Sequence, residues 1–134
     1  MQAIHTVDSS RYAKVIEVSR RVRWEIERDL IRGRRLDYTK PFLPAGLSLV
    51  DELGFLSAAD KRLLSQIQGR TYAYIFGLVE RYIATKTMQI GVARALDDQV
   101  ALEALVRMTD EEIKHQELFR RLEMMMAADM PPGY

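Results

Sequence analysis

Cysteine is missing from all 134 residues, which removes disulfides, thiolate metal sites and thiol nucleophiles together. Proline and glycine are scarce, at 4 and 7 copies, and no glycine-rich loop of the kind that cradles phosphate occurs. No apolar window reaches the roughly 18 residues needed to span a bilayer. No apolar run follows Met1 that would act as a signal sequence, so a cytoplasmic protein is expected, with no membrane partner. Lys and Arg number 20 against 19 Asp and Glu, a net charge of +1 that gives no overall pull toward nucleic acid. There is no aromatic platform for bases and no Ser-His-Asp order. Strand-period alternation, low-complexity tracts and internal repeats are all missing. Histidine occurs twice, as His5 and His115.

What is present is 48% apolar and 29% charged, ordinary for a globular chain, and long enough for one domain with a core of its own. The charge is uneven. Residues 1–40 carry ten Lys/Arg against six Asp/Glu, while 98–134 carry four against eight. The two ends should attract each other within the fold or across a dimer; a basic docking face on the first helix is the other reading.

Helical periodicity dominates, and the fold class is all-α: a single domain over 1–134, with an N-terminal helix and apolar connector in 1–56 and a helical hairpin in 57–128. After a lead-in over 1–10, Tyr12, Val15, Ile16, Val22, Ile26 and Leu30 follow the helical period and predict a helix from Arg11 to about Arg32, stopped by Gly33. Pro41, Pro44 and Gly46 mark a loop over 34–46. Leu47–Leu53 reads as a short helix ending at Gly54, in a connector apolar enough to pack against something. Ser57 and Asp60 form a capping box for a long helix from Ala58 to about Ala95. The uncharged run around Thr71–Val79 has the all-round apolarity of the middle of a bundle. Leu96, Asp97 and Asp98 make a turn, Asp98 or its neighbour caps the next helix, and Gln99 to about Ala128 completes the hairpin before Pro131-Pro132-Gly133.

The chemistry lies on this hairpin. Steps of three and four through Glu112 and His115 visit Leu105, Met108, Phe119, Leu122 and Met126, so a carboxylate and an imidazole occupy an otherwise apolar stripe. Glu80 does the same among Ala73, Phe76, Ile83, Thr87 and Ile90. With the turn near residue 97, Glu80 lies 17 positions before it and Glu112 and His115 lie 15 and 18 after it. At about 1.5 Å of rise per residue all three sit about 22–27 Å from the turn, at one level. Buried carboxylates repel each other. A divalent cation relieves that repulsion and takes the imidazole as a nitrogen ligand.

One Glu in Phe-Gly-Leu-Val-Glu80-Arg-Tyr-Ile and a Glu-x-x-His in Glu112-Ile-Lys-His115 resemble the ferritin-like di-iron carboxylate superfamily, bacterial di-iron oxygenase-type proteins in particular. The resemblance covers about 57–128. It implies a ferritin-like half-bundle in which Glu80 is a terminal ligand, Glu112 a bridging ligand and His115 a nitrogen ligand to iron, with manganese a possible substitute. It also implies O2-dependent oxidation or hydroxylation of a small organic substrate. A complete site of that type takes a Glu from each of two helices and Glu-x-x-His from each of the other two. This chain carries half of it, so the rest is expected from a second copy in a homodimer or from a missing C-terminal half.

The alternative is a non-enzymatic helical oligomerisation module in which a buried Glu–His pair, satisfied by Arg81 or Lys114, sets helix register. Glu25 and Asp29 read either as an extra carboxylate near the site or as a surface ion-pair network. Glu111, on the face of Arg107 and Lys114, reads as solvated. Tyr72, Tyr74 and Tyr82 read as packing residues, and Met124-Met125-Met126 as adaptable packing at a helix end.

Overall fold

In a computed structural model that describes residues 9–132, every regular element is helical. Helix α1 covers Ser9–Arg21, α2 the single turn Ala45–Ser48, α3 Ala58–Arg94 and α4 Gln99–Asp129. The caps that bound the hairpin are the expected ones. Ser57 Oγ accepts from the Asp60 amide at 3.1 Å, while Asp60 Oδ2 accepts from the Ser57 amide at 3.3 Å. Asp98 Oδ1 accepts from the amides of Val100 and Ala101, both at 3.0 Å. Helices α3 and α4 lie antiparallel along most of their length.

The N-terminal helix is shorter than its periodicity predicts. It stops at Arg21, residues 22–25 leave helical geometry, and Ile26–Ile31 closes as one π-helical turn. The break contains neither Gly nor Pro; side chains hold it open instead. The Arg28 guanidinium donates to Arg23 O at 2.8 Å, and Asp29 Oδ2 accepts from the Glu25 amide at 2.8 Å. These bonds replace helical ones, so the chain can leave the helix at little cost in hydrogen bonding. Gly33, expected as the helix stop, follows Arg32, and both have positive φ (68° and 54°). The connector differs as well. In place of one helix over 47–53, α2 ends at Leu49 in the left-handed region, and a 3-10 turn, Val50–Glu52, follows.

Cross-links between the chain's two ends set the orientation of the N-terminal segment. Arg20 pairs with Glu103 at 2.8 Å, Trp24 Nε1 donates to Glu111 at 2.8 Å, and Arg121 reaches Glu27 at 3.2 Å. Rising numbers on both partners mean that this segment runs parallel to α4. The basic first third and acidic last third therefore meet within one chain.

The connector returns along α3. Gln66 donates to the carbonyls of Tyr38 and Lys40 at 3.0 and 2.9 Å, and the Leu43 amide donates to Ser65 Oγ at 3.2 Å. Phe42 lies so close to α3 that only glycine fits opposite: a Cβ on Gly69 would stand 2.8 Å from Phe42 Cβ. Gly69→Ala gains about 1 kcal/mol of helix propensity but forces Phe42 out, at a typical overpacking cost of 1–3 kcal/mol. We expect a net loss of about 1 kcal/mol in urea unfolding, with the far-UV helical signal unchanged.

Within one chain the core is thin. Ala73, Ala84, Ala101 and Ala104 line the α3–α4 seam, with Leu105 and Met126 the larger buried members. A cluster of Ala73, Met126 and Met130, flanked by Leu36, Tyr38, Phe42 and Phe119, closes the end away from the turn. The Thr71–Val79 run is covered on one side only: Ala73 is buried, while Tyr74, Ile75, Phe76, Leu78 and Val79 are exposed. A two-helix hairpin can shield only the stripe facing its partner, so an all-round apolar helix leaves most of its surface outward. Among the described residues no helix is long and apolar enough to cross a membrane.

Candidate metal centre

Glu80, Glu112 and His115 converge between α3 and α4, with one potential ligand atom from each lying within 4.8 Å of the others. His115 Nδ1 is 3.1 Å from Glu112 Oε2 and 3.7 Å from Glu80 Oε1. Glu112 is buried, at 8% exposure, and the imidazole is the most open of the three. The level match across the turn and the i, i+3 spacing on α4 together produce this meeting point.

The surroundings are largely apolar. The Phe76 and Phe119 rings stack at 5.5 Å, and Gly77 faces Phe119 closely enough that an added Cβ would lie 3.7 Å from Phe119 Cβ. Among the described residues no lysine or arginine pairs with either carboxylate. Lys114 pairs with Glu111 at 2.9 Å, and Arg81 is exposed on the rim of a groove of about 700 Å³ between α3 and α4. Neither residue satisfies the Glu–His pair.

The electrostatic consequence falls on Glu80. Its carboxyl is pushed up to about 7, first by sharing a proton with the Glu112 carboxyl, then by burial and by the Glu112 charge, with His115 opposing. Its Oε2 is buried with no hydrogen-bond partner. Stranding a polar atom in an apolar seam is costly.

The raised Glu80 carboxyl makes the stability of the metal-free chain depend on pH. The folded state holds the Glu80 proton more tightly than the ordinary carboxyl at 4.5 does in an unfolded chain. This contribution to stability is full below about pH 4.5 and is lost as pH rises toward 7. At 1.36 kcal/mol per pKa unit, less the screening from solvent at His115, the loss is of the order of 2 kcal/mol. Urea unfolding in chelator at pH 5 and pH 8 should show it as a difference between wild type and Glu80→Gln, which cannot ionise.

Glu25 and Asp29 do not join the site. Arg28 binds both, at 3.2 and 2.7 Å, and holds the Asp29 carboxyl down to about 2; they form the surface network. His5 lies outside the described residues. Two residues that sequence reasoning did not place at the site adjoin it. Trp24 stacks on His115 with ring centroids 5.9 Å apart and an interplanar angle of 23°. Glu111, expected in solvent, is half-buried and bonds both Trp24 and Lys114. Burial alone would raise the Glu111 carboxyl, but those two bonds outweigh it and hold it below its ordinary value. Only the Lys114 contact was legible from i, i+3 spacing. Trp24 comes from a segment whose periodicity reads as continuous helix.

The donor set fits a divalent transition metal: two carboxylates and one imidazole suit iron, manganese or zinc better than calcium or magnesium. The partnerless Glu80 Oε2 offers lone pairs that no donor among the described residues takes up. Compared with family models, curated proteins and solved structures, the chain matches none.

Proposed function

We propose that the chain is half of a ferritin-like di-iron carboxylate protein, with Glu80 a terminal ligand, Glu112 a bridging ligand and His115 a nitrogen ligand. The observation that carries this reading is the convergence of three donors in an apolar seam, with one carboxylate oxygen buried and unpartnered. When bound, a pair of irons with open coordination positions supplies dioxygen activation for oxidation or hydroxylation of a small organic substrate.

The chain's own residues have separate tasks. Glu80 surrenders a proton on binding, because a ligand carboxylate must be deprotonated. Glu112, fixed by the 3.1 Å contact to His115, holds the imidazole toward the shared point. Phe76, Phe119, Ala73, Gly77 and Ile83 keep water from it, and Met108 lies one helical turn before Glu112. A cation brought among these donors removes the repulsion that raises Glu80.

A complete two-metal site needs four Glu and two His. The second set would come from another copy of this chain or from further chain. The exposed Phe76 and Val79 on α3 and Met108 on α4 support such a partner, being apolar and adjacent to the site. Anaerobic Fe(II) loading with metal analysis tests the reading, and the mass of the loaded species in light scattering identifies the source of the second set. A two-copy mass assigns it to a homodimer.

The short Glu112–His115 contact also favours a second reading, a helical oligomerisation module whose buried pair only sets register. That reading requires no metal uptake.

A further inference from the structure

Trp24 is the chain's single tryptophan, and its placement is elaborate. Four residues between α1 and the π-helical turn abandon helix without Gly or Pro. Glu25, next in the chain, is extended at φ −131° and ψ 140°. The break is fastened on both sides of Trp24, by Arg28 on the Arg23 carbonyl and by Asp29 on the Glu25 amide, each at 2.8 Å. The indole that results meets three residues of α4. Its Nε1 donates to Glu111 Oε2 at 2.8 Å, Lys114 Nζ lies 5.6 Å from its ring centroid, and its face stacks on His115.

An imidazole has two freedoms that matter to a metal: the rotation of its ring and the direction of its nitrogens. Glu112 constrains the ring through Nδ1 alone, and among the described residues Nε2 has no hydrogen-bond partner from the chain. A flat ring stacked on the imidazole face stops rotation about the remaining axis. Glu111 and Lys114 in turn hold that flat ring. Outer partners that orient a ligating imidazole by hydrogen bonding, without touching the metal, commonly change affinity by 10–100-fold, and a stacked ring acts on the same orientation.

We infer that Trp24, anchored by Glu111, is a positioning residue that holds His115 Nδ1 toward Glu80 and Glu112 and makes the N-terminal segment one wall of the metal site. The inference rests on the reading of Glu80, Glu112 and His115 as metal ligands. The broken segment is what carries the indole to Glu111 and to the imidazole face.

Co(II) titration followed by isothermal calorimetry and tryptophan emission tests it, because the only indole lies against a ligand ring. Wild type should bind Co(II) with quenching of its emission. Trp24→Ala should lower Co(II) affinity about 10–100-fold, and Trp24→Phe, which keeps a stacking ring, should recover most of it. Glu111→Ala frees the indole without removing it, so both affinity and the extent of quenching should fall. Ile16→Ala, in the buried face of α1 and remote from the imidazole, should lower stability while leaving affinity within about twofold. If Trp24→Ala does not fold, Glu111→Ala carries the test, and unchanged quenching and affinity there overturn the inference. Equal affinity in wild type and a folded Trp24→Ala overturns it too, as does an equal loss in Ile16→Ala, which would make Trp24 merely structural. If wild type takes up neither Co(II) nor Fe(II), the metal reading itself fails.

Discussion

Glu112→Ala should abolish iron uptake. After anaerobic Fe(II) loading and desalting, wild type should retain about one iron per chain, since a two-metal site is shared between two equivalent halves. The variant should retain less than about a tenth of that. Glu112 is the most buried of the three donors and the one bonded to the imidazole. Its removal takes away a ligand and also the contact that aims His115. The affinity loss should exceed about a hundredfold, the upper end of what losing an outer partner costs. It also removes the first cause of the raised Glu80 carboxyl, so Glu80 will ionise more readily and still fail to hold iron alone. Alanine is a strong helix former, so α4 should persist in circular dichroism. His115→Ala should behave alike, while Glu117→Ala, exposed on the same helix, should leave uptake unchanged. Iron retained at the wild-type level in Glu112→Ala would refute the assignment of these residues.

Much of this arrangement was open to reading from the chain. Caps at Ser57 and Asp98 announce themselves because each solves a local problem, the unpaired amides of a helix start, with side chains a few residues away. The meeting of Glu80 with Glu112 and His115 was legible because helical rise is constant, so position along an antiparallel pair can be counted from the turn. The failures share the opposite cause. The break after Arg21 depends on Arg28 and Asp29 bonding backbone atoms of Arg23 and Glu25, a pattern no apolar period encodes. Trp24 and Glu111 meet across 87 positions of sequence, and nothing local marks either as the other's partner. Glu111 therefore looked solvated.

The exposed apolar surface also resisted reading. The run around Thr71–Val79 has the composition of a bundle interior, yet Tyr74 is 62% exposed and Phe76 42%. Composition states how much of a helix needs cover and is silent on who provides it. In this chain α1 takes the flank of α4, the connector takes the base of α3, and the faces around Phe76 and Val79 are left over. That remainder and, on the proposed reading, a ligand set holding half of a two-metal site point in the same direction. Each lacks one thing, and a second hairpin would supply both.

Replacing the three donors together separates the metal reading from the register-pair reading. In Glu80→Leu/Glu112→Leu/His115→Phe the buried carboxylates and imidazole give way to apolar groups of similar size, and the stranded Glu80 Oε2 disappears. Substitutions of this kind are often stabilising by about 1–4 kcal/mol, and Phe at 115 can keep the stack with Trp24. In chelator the triple variant should therefore unfold at higher urea than wild type, an outcome both readings share. Iron divides them. A ligand that binds only the folded state at a hundred times its dissociation constant stabilises by about 2.7 kcal/mol, so Fe(II) should raise wild type toward or past the variant and leave the variant unmoved. If wild type ignores Fe(II) while the triple variant is the more stable, the donors serve helix register alone. If wild type gains and the variant does not, the instability built into the seam is the cost of keeping three donors ready for a cation.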